Sequence, residues 1–322
     1  MKAVWFARGV AEVREVPMPD RRPGEALLRL RVAGICATDL HLLSGYMGFV
    51  GIPGHEFTAQ VVAADREELT GRRVVGEINA ACGACGLCHA GLSRHCPART
   101  VLGIAGRPGC LAEYFTLPEA NLHVLSEEVR DFDAVFAEPL AAALRIPEQM
   151  EVVQAATGPN GGPRALVVGD GKLGLLTALV LVQQRVPTWL AGHHEEHLEW
   201  ARRSGIGRDP GGTFPLVVDC TGNPAGFRES LARVMQTGTL VVKSTYPAEV
   251  TVDLSAVVVN EVRLVGSRCG PFGPALALLR QREVYELLSR VRDDVIPFGR
   301  VLEALDRAAR PGALKVLVDN LG

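Results

Sequence analysis

Four cysteines fall within fifteen residues, at Cys82, Cys85, Cys88 and Cys96, with gaps of two, two and seven. Close cysteine pairs on glycine-containing turns bring their sulfurs to one point, and Zn²⁺ prefers a closed tetrahedral cage of thiolates for structural work. Two other chemistries use such cysteines. A disulfide pair belongs to an oxidising compartment. An iron–sulfur cluster is echoed by Cys96-Pro97, although the last gap is too long for the ferredoxin run. A four-thiolate lobe organises a loop and performs no reaction, so reactive groups must lie elsewhere.

Ahead of the lobe stand Gly34-Ile-Cys36-Ala-Thr38-Asp39-Leu-His41 and Gly54-His55-Glu56. A lone cysteine or histidine is most often a packed or surface residue. Together these supply a thiolate and an imidazole, with the Asp39 and Glu56 carboxylates to orient them. Glu138, in Ala137-Glu-Pro-Leu, is a third donor candidate. Three protein ligands and one open position make a catalytic zinc site, so two Zn²⁺ per chain are expected.

A second kind of site is written in Gly169-Asp-Gly171-Lys172-Leu173-Gly174, directly after the apolar run Ala165-Leu-Val-Val. A glycine loop between a buried strand and a helix cradles the pyrophosphate of a dinucleotide at the helix N-terminus. An NAD site carries Asp or Glu at the end of the next strand; here that place is Gly192-His193-His194, without a carboxylate. With Arg202 nearby, the two histidines suit a 2′-phosphate, and NADP is expected rather than NAD.

The elements that must hold these groups divide in two. Up to about residue 135 the chain reads as short strands, among them Ala26–Ala33, Phe57–Ala63, Leu111–Leu117 and Leu122–Leu125. From Leu140 a helix is predicted, then a turn at Pro159–Pro163. Strands and helices then alternate: strands at Ala165–Gly169, Thr188–Gly192, Leu216–Cys220, Thr239–Lys243 and Arg263–Ser267, helices at Leu175–Gln184 and Glu195–Ser204. That rhythm is a doubly wound parallel sheet. Beyond Cys269 two helices, Gly273–Arg280 and Arg300–Ala309, and a last strand, Leu314–Val318, are expected to return to the first domain. The fold class is thus α/β, with residues 1–141 and 269–322 as an irregular β catalytic domain (zinc lobe 82–96) and 142–268 as a Rossmann domain.

With 322 residues, 34 basic against 36 acidic groups and 48% hydrophobic content, the chain is long enough for two cores. Its charge favours neither nucleic acid nor a membrane surface. No apolar run spans a bilayer and none reads as a secretory signal, so a cytoplasmic location is expected. Only Lys2, Lys172, Lys243 and Lys315 are lysines.

These motifs, in this order, resemble the zinc-dependent medium-chain dehydrogenase/reductase family of alcohol, polyol and threonine dehydrogenases. Its C-x-[ST]-D-x-H motif is matched by Cys36, Thr38, Asp39 and His41, its G-H-E motif by Gly54, His55 and Glu56, and its zinc lobe by the four cysteines. Glu138 resembles the polyol, threonine and sugar branch. Ala37, Ala59 and Asp65 depart from the family's small glycines, and the segment around Ile206–Phe214 is trimmed.

The resemblance implies a GroES-like catalytic domain with Cys36, His55 and Glu138 on the catalytic zinc and Glu56 able to exchange. It implies a proton relay through Thr38 and His41, and hydride transfer between an alcohol or polyol and a nicotinamide cofactor. Gly169, Gly171, Lys172, Leu173, Gly174, His193, His194, Thr221, Ser244 and the C-terminal basic residue Lys315 are its expected cofactor contacts. Ile78, Tyr46 and Phe49 would line the substrate pocket. A homodimer or homotetramer acting on a small alcohol, polyol or sugar is expected. The alternatives are a non-catalytic NADP-binding zinc protein serving as a redox sensor, and a quinone- or enoyl-reductase-like enzyme.

Overall fold

A computed structural model describes residues 1–150, 164–246 and 249–321. The turn expected at Pro159–Pro163 lies outside them. The chain forms two compact units, Met1–Glu138 with Phe272–Gly322, and Pro139–Pro271.

The first unit is built on one strand. Glu25–Gly34 alternates inward apolar and outward polar side chains over much of its length, which is what a sheet packed on one face demands. It pairs antiparallel with Glu56–Ala63, Tyr114–Pro118 and Lys315–Asp319. Arg73–Gly76 and Leu122–Val124 extend the sheet on one side, and Arg292–Pro297 on the other. Leu28, Leu30, Val32, Val61, Val74 and Leu117 are buried beneath it, and Phe57 meets Phe115 edge to face at 4.8 Å. Register carries function here: Gly34 lies opposite Glu56 on one neighbour and Leu317 on the other. Residues far apart in the sequence therefore flank the same glycine.

The second unit is a six-stranded parallel sheet. Its spatial order is Gly207–Arg208, Thr188–Ala191, Ala165–Val168, Phe214–Asp219, Val234–Val242, Arg263–Gly266. Numbered along the chain this is 3-2-1-4-5-6, the doubly wound order of a dinucleotide-binding sheet. The central strands are apolar throughout because helices cover both faces: Leu166, Val167, Leu190, Val217, Val218, Leu240 and Val241 are buried. Helix Lys172–Gln183, buried from Gly174 to Leu181, follows the first strand.

Several elements escaped the sequence reading, among them helices Ala37–Leu43, Pro224–Ala232 and Leu254–Val259. Strand Gly207–Arg208 has two residues, too few to show a period. Helix Arg282–Val291 carries Val284, Leu288 and Val291 on its buried side, a helical spacing hidden among charges. Strand Arg292–Pro297 opens on charged residues and ends on proline, as only an edge strand can. The stretch expected to be strand from Leu111 becomes one at Tyr114. Leu111 and Ala112 instead meet the N-terminal strand, through Val4 N–H to Leu111 O at 2.8 Å and a bridge from Ala3 to Ala112.

Candidate active site

Cys36 leaves the central strand in an extended conformation and caps helix Ala37–Leu43. Asp39, fully buried one turn in, accepts the Cys36 N–H at 2.9 Å through Oδ2 and the Gly54 N–H at 3.1 Å through Oδ1. One carboxylate thus ties the cysteine loop to the Gly54-His55-Glu56 turn. His55 Nδ1 lies 3.3 Å from the same Oδ1, out of line for a good hydrogen bond. Gly54 sits at φ +98°, and a Cβ there would stand 2.7 Å from Leu111 Cγ. At Gly34 a Cβ would lie 2.5 Å from Glu56 Oε2, so this glycine makes the room Glu56 occupies.

Ligand atoms of Cys36, His55 and Glu56 come within 4.8 Å of one another. Glu138, half-buried at the start of helix Ala137–Met150, stands outside that group. The buried ammonium of Lys315 instead engages Glu56. Burial alone would push the His55 pKa down, but the neighbouring Asp39 and Cys36 outweigh it and hold it well above the ordinary value. Burial likewise works against a charged Asp39, yet His55 and the two backbone donors leave its pKa lowered. Lys315 follows the same logic: desolvation opposes its charge, and Glu56, Cys36 and Glu138 raise its pKa regardless. Such a knot of oppositely charged, buried groups with a soft thiol and an imidazole is the donor chemistry of a zinc site.

Thr38 Oγ1 lies 3.8 Å from Cys36 Sγ. His41 follows one turn later on the same helix face, half-buried, its pKa lowered by that burial. Tyr46 meets the His41 ring edge-on at 6.4 Å, while Phe49 packs on Phe6 and Ile78 is buried. Sequence reading missed Cys110, whose buried thiol reaches the Glu56 carbonyl at 3.7 Å and is held protonated by burial. The signal for the Lys315 contact was present: a lone lysine inside the apolar strand sequence Leu314-Lys-Val-Leu-Val. Asp65, one of the departures, also has a task, accepting from the Arg21 guanidinium and from Gly24 N–H at 2.6 Å.

In the lobe the four sulfurs converge, with Cys82–Cys96 and Cys85–Cys88 each 3.5 Å apart, Cys85–Cys96 3.9 Å and Cys82–Cys88 4.0 Å. All four are free thiols. Backbone N–H of Ala84, then the Cys96 thiol, draw Cys82 down to about 6, toward the thiolate that a metal needs. Desolvation and its contact with Cys85 push Cys88 up to about 11.

The glycine loop is shaped for a pyrophosphate. Gly169 turns at φ +104°, a Cβ on Gly174 would lie 1.8 Å from the Gly169 carbonyl oxygen, and a Cβ on Gly171 would meet nothing within 4 Å. The first and last positions are closed by packing, and the middle one is open where phosphates approach a helix N-terminus. Lys172 and Leu173 are the first helical residues and are partly buried.

The exposed His193 and His194 follow strand Thr188–Ala191, and His194 caps helix Glu195–Arg203. Arg202 is held on Glu199 at 2.8 and 3.0 Å. Thr221 gives its hydroxyl to Asp219 at 2.7 Å, while Ser244 is partly exposed after the fifth strand. Lys315 belongs to the first unit and the glycine loop to the second.

Residues 22–127 match the alcohol dehydrogenase GroES-like domain. Over 279 residues the chain is 30% identical to an L-threonine 3-dehydrogenase of Streptomyces avermitilis, covering 78% of this chain and 79% of the relative. The chain belongs to the zinc-dependent medium-chain dehydrogenases. A D-altritol 5-dehydrogenase of Agrobacterium fabrum is 28% identical over 98% of both chains. A zinc-binding dehydrogenase of Sinorhizobium meliloti, solved bound to NADP, superposes with a TM-score of 0.83 at 26% identity, over 99% of this chain and 98% of that one. This dehydrogenase is an NAD(P)-dependent oxidoreductase acting on a CH–OH group. The likenesses do not favour a non-catalytic sensor or a quinone- or enoyl-reductase-like enzyme. Among the described residues no helix is long and apolar enough to cross a membrane.

Proposed function

We propose that this enzyme oxidises a small polyol or related secondary alcohol, and reduces the matching ketone, at a zinc held by Cys36 and His55 with Glu56 and Glu138 as exchangeable carboxylates. The observation that carries the reading is the convergence of Cys36, His55 and Glu56 within 4.8 Å, braced by Asp39 and flanked by Thr38. When bound, zinc supplies the Lewis acidity that makes an alcohol O–H a stronger acid, and the dinucleotide supplies the hydride acceptor. The Thr38 hydroxyl takes the alcohol's proton and His41 passes it outward; because burial lowers its pKa, His41 is neutral and receptive at pH 7. Lys315 holds Glu56 at rest, so Glu56 must leave that ammonium to reach the zinc. Cys82, Cys85, Cys88 and Cys96 hold a second, structural zinc that shapes their loop.

The glycine loop binds the pyrophosphate, with Gly171 as the point of closest approach. Polyols rank first because relatives acting on D-altritol and on erythritol or L-threitol match most of this chain. The enzyme works in the cytoplasm, where eight free cysteines persist. It forms a homodimer along the edge strand Arg263–Gly266, beside which Leu254, Val258 and Val259 are 65%, 73% and 78% exposed.

The test is zinc per chain by elemental analysis, followed by a screen of alcohols, polyols and sugars with NAD and NADP. About two zinc atoms and polyol-dependent cofactor reduction are expected. One zinc that does not rise on adding metal back, with no turnover, sinks the reading.

A further inference from the structure

The acid missing from the end of strand Thr188–Ala191 is supplied from another place. Asp170, the residue between the first two glycines of the loop, extends its side chain across to that strand end. A Cβ on Gly192 would stand 2.3 Å from Asp170 Cβ and 2.5 Å from its Oδ2. Only glycine at 192 leaves the carboxylate this place. Asp170 Oδ2 accepts the backbone N–H of His193 at 2.8 Å and of His194 at 2.6 Å. The half-exposed His194 ring rests on the carboxylate, with Nδ1 3.1 Å from Oδ1. His197 Nδ1 meets the Asp170 carbonyl oxygen at 2.8 Å, fixing the loop from beneath.

In a doubly wound sheet this is where the adenosine ribose lies, its 2′ position read by the end of the second strand. A 2′-phosphate needs cationic and N–H donors there and carries between one and two negative charges, as phosphate monoesters do near neutral pH. Here two N–H groups and an imidazole are already bound to a carboxylate of the chain. Arg202 and Arg203 make solvent-exposed ion pairs with Glu199, and Arg208 with Glu195.

We propose that Asp170 sets the cofactor preference of this enzyme, accepting the ribose 2′-hydroxyl of NAD and excluding the 2′-phosphate of NADP by charge and by occupying its donors. This reverses the preference expected from the bare His193-His194 pair. It rests on the nicotinamide-dependent reading above. The Sinorhizobium structure holds NADP, so the fold accommodates that cofactor and the choice falls to side chains of this kind.

The experiment measures NADH and NADPH binding by calorimetry on the zinc-loaded full chain without alcohol, for wild type, Asp170→Asn and Asp170→Ser. Wild type should bind NADH roughly tenfold or more tightly than NADPH. Asp170→Asn keeps an acceptor for the two N–H groups while removing the charge, so it should melt near wild type and narrow the ratio about tenfold, mainly through tighter NADPH. Asp170→Ser, which frees the donors, should narrow it further. Equal binding or an NADPH preference in wild type overturns the proposal, as does a normally melting Asp170→Asn with an unchanged ratio. Binding of neither dinucleotide overturns it together with the nicotinamide reading. A clear NADH preference without turnover of any alcohol supports Asp170 as the selector and counts against the catalytic reading alone.

Discussion

Asp39 does more for the site than any group expected to touch substrate. It fixes the backbone of Cys36 and of Gly54 and faces His55, so a single buried carboxylate sets where thiolate and imidazole meet. Cys36→Ala should abolish turnover and lower bound zinc from about two per chain to about one. NADH affinity should stay near wild type, because the glycine loop is untouched; elemental analysis and calorimetry check both. His41 should set the acid limb of the rate. Burial lowers its pKa below 6.5, so the relay is open at pH 7 and closes as the ring protonates at lower pH. His41→Gln should remove that limb from the kcat profile. Lys315 and Glu56 are both about 1% exposed, and removing one partner of such a buried pair costs about 3–5 kcal/mol. Lys315→Met should therefore unfold at markedly lower urea, and adding Glu56→Gln should recover part of the loss.

At the level of elements, the strand register and the trimmed segment each make a point. Gly34 faces Glu56 across one ladder and Leu317 across the other, so a slip of one residue would turn Lys315 away from the carboxylate it balances. In the second unit the short segment around Ile206–Phe214 is closed by a bidentate pair, Arg233 to Asp209 at 2.6 and 2.7 Å. Hydrogen bonding from Arg233 lowers the Asp209 pKa. A lowered folded-state pKa gives stability that is complete above the unfolded carboxyl pKa, about 4, and is lost as pH falls through the folded value. Wild type should thus exceed Asp209→Asn by about 1 kcal/mol at neutral pH. The two should converge on acidification below pH about 4, as followed by urea denaturation at each pH. Gly174→Ala would press a methyl group on the Gly169 carbonyl; a stability loss of about 1–3 kcal/mol and weakened dinucleotide binding are expected.

The molecule as a whole divides its labour between two folding units with separate cores. The first holds the proposed zinc ligands and the thiol lobe, the second the glycine loop proposed to bind the dinucleotide. Its parallel sheet ends on Arg263–Gly266, a strand with no neighbour on its outer side among the described residues. An apolar helix, Leu254–Val259, lies directly before that strand in sequence. If this edge pairs with a second copy, Val258→Asp should shift the light-scattering mass from dimer to monomer while leaving zinc content unchanged.

The sequence by itself determined the two-domain plan, the strand-helix alternation and the four-thiol lobe, because each is local: a period, a turn or a spacing of a few residues suffices. It also placed Cys36, Thr38, His41, His55 and Glu56 in motifs short enough to recognise. Only the tertiary structure decided how groups far apart in the chain pair. Lys315 lies 259 positions from Glu56, and nothing local marks them as partners. Asp170 reads as filler between two glycines until the parallel pairing of Ala165–Val168 with Thr188–Ala191 brings it beside Gly192. In both cases the deciding quantity is a long-range register, which hydrogen-bonded ladders fix and a linear pattern leaves unstated.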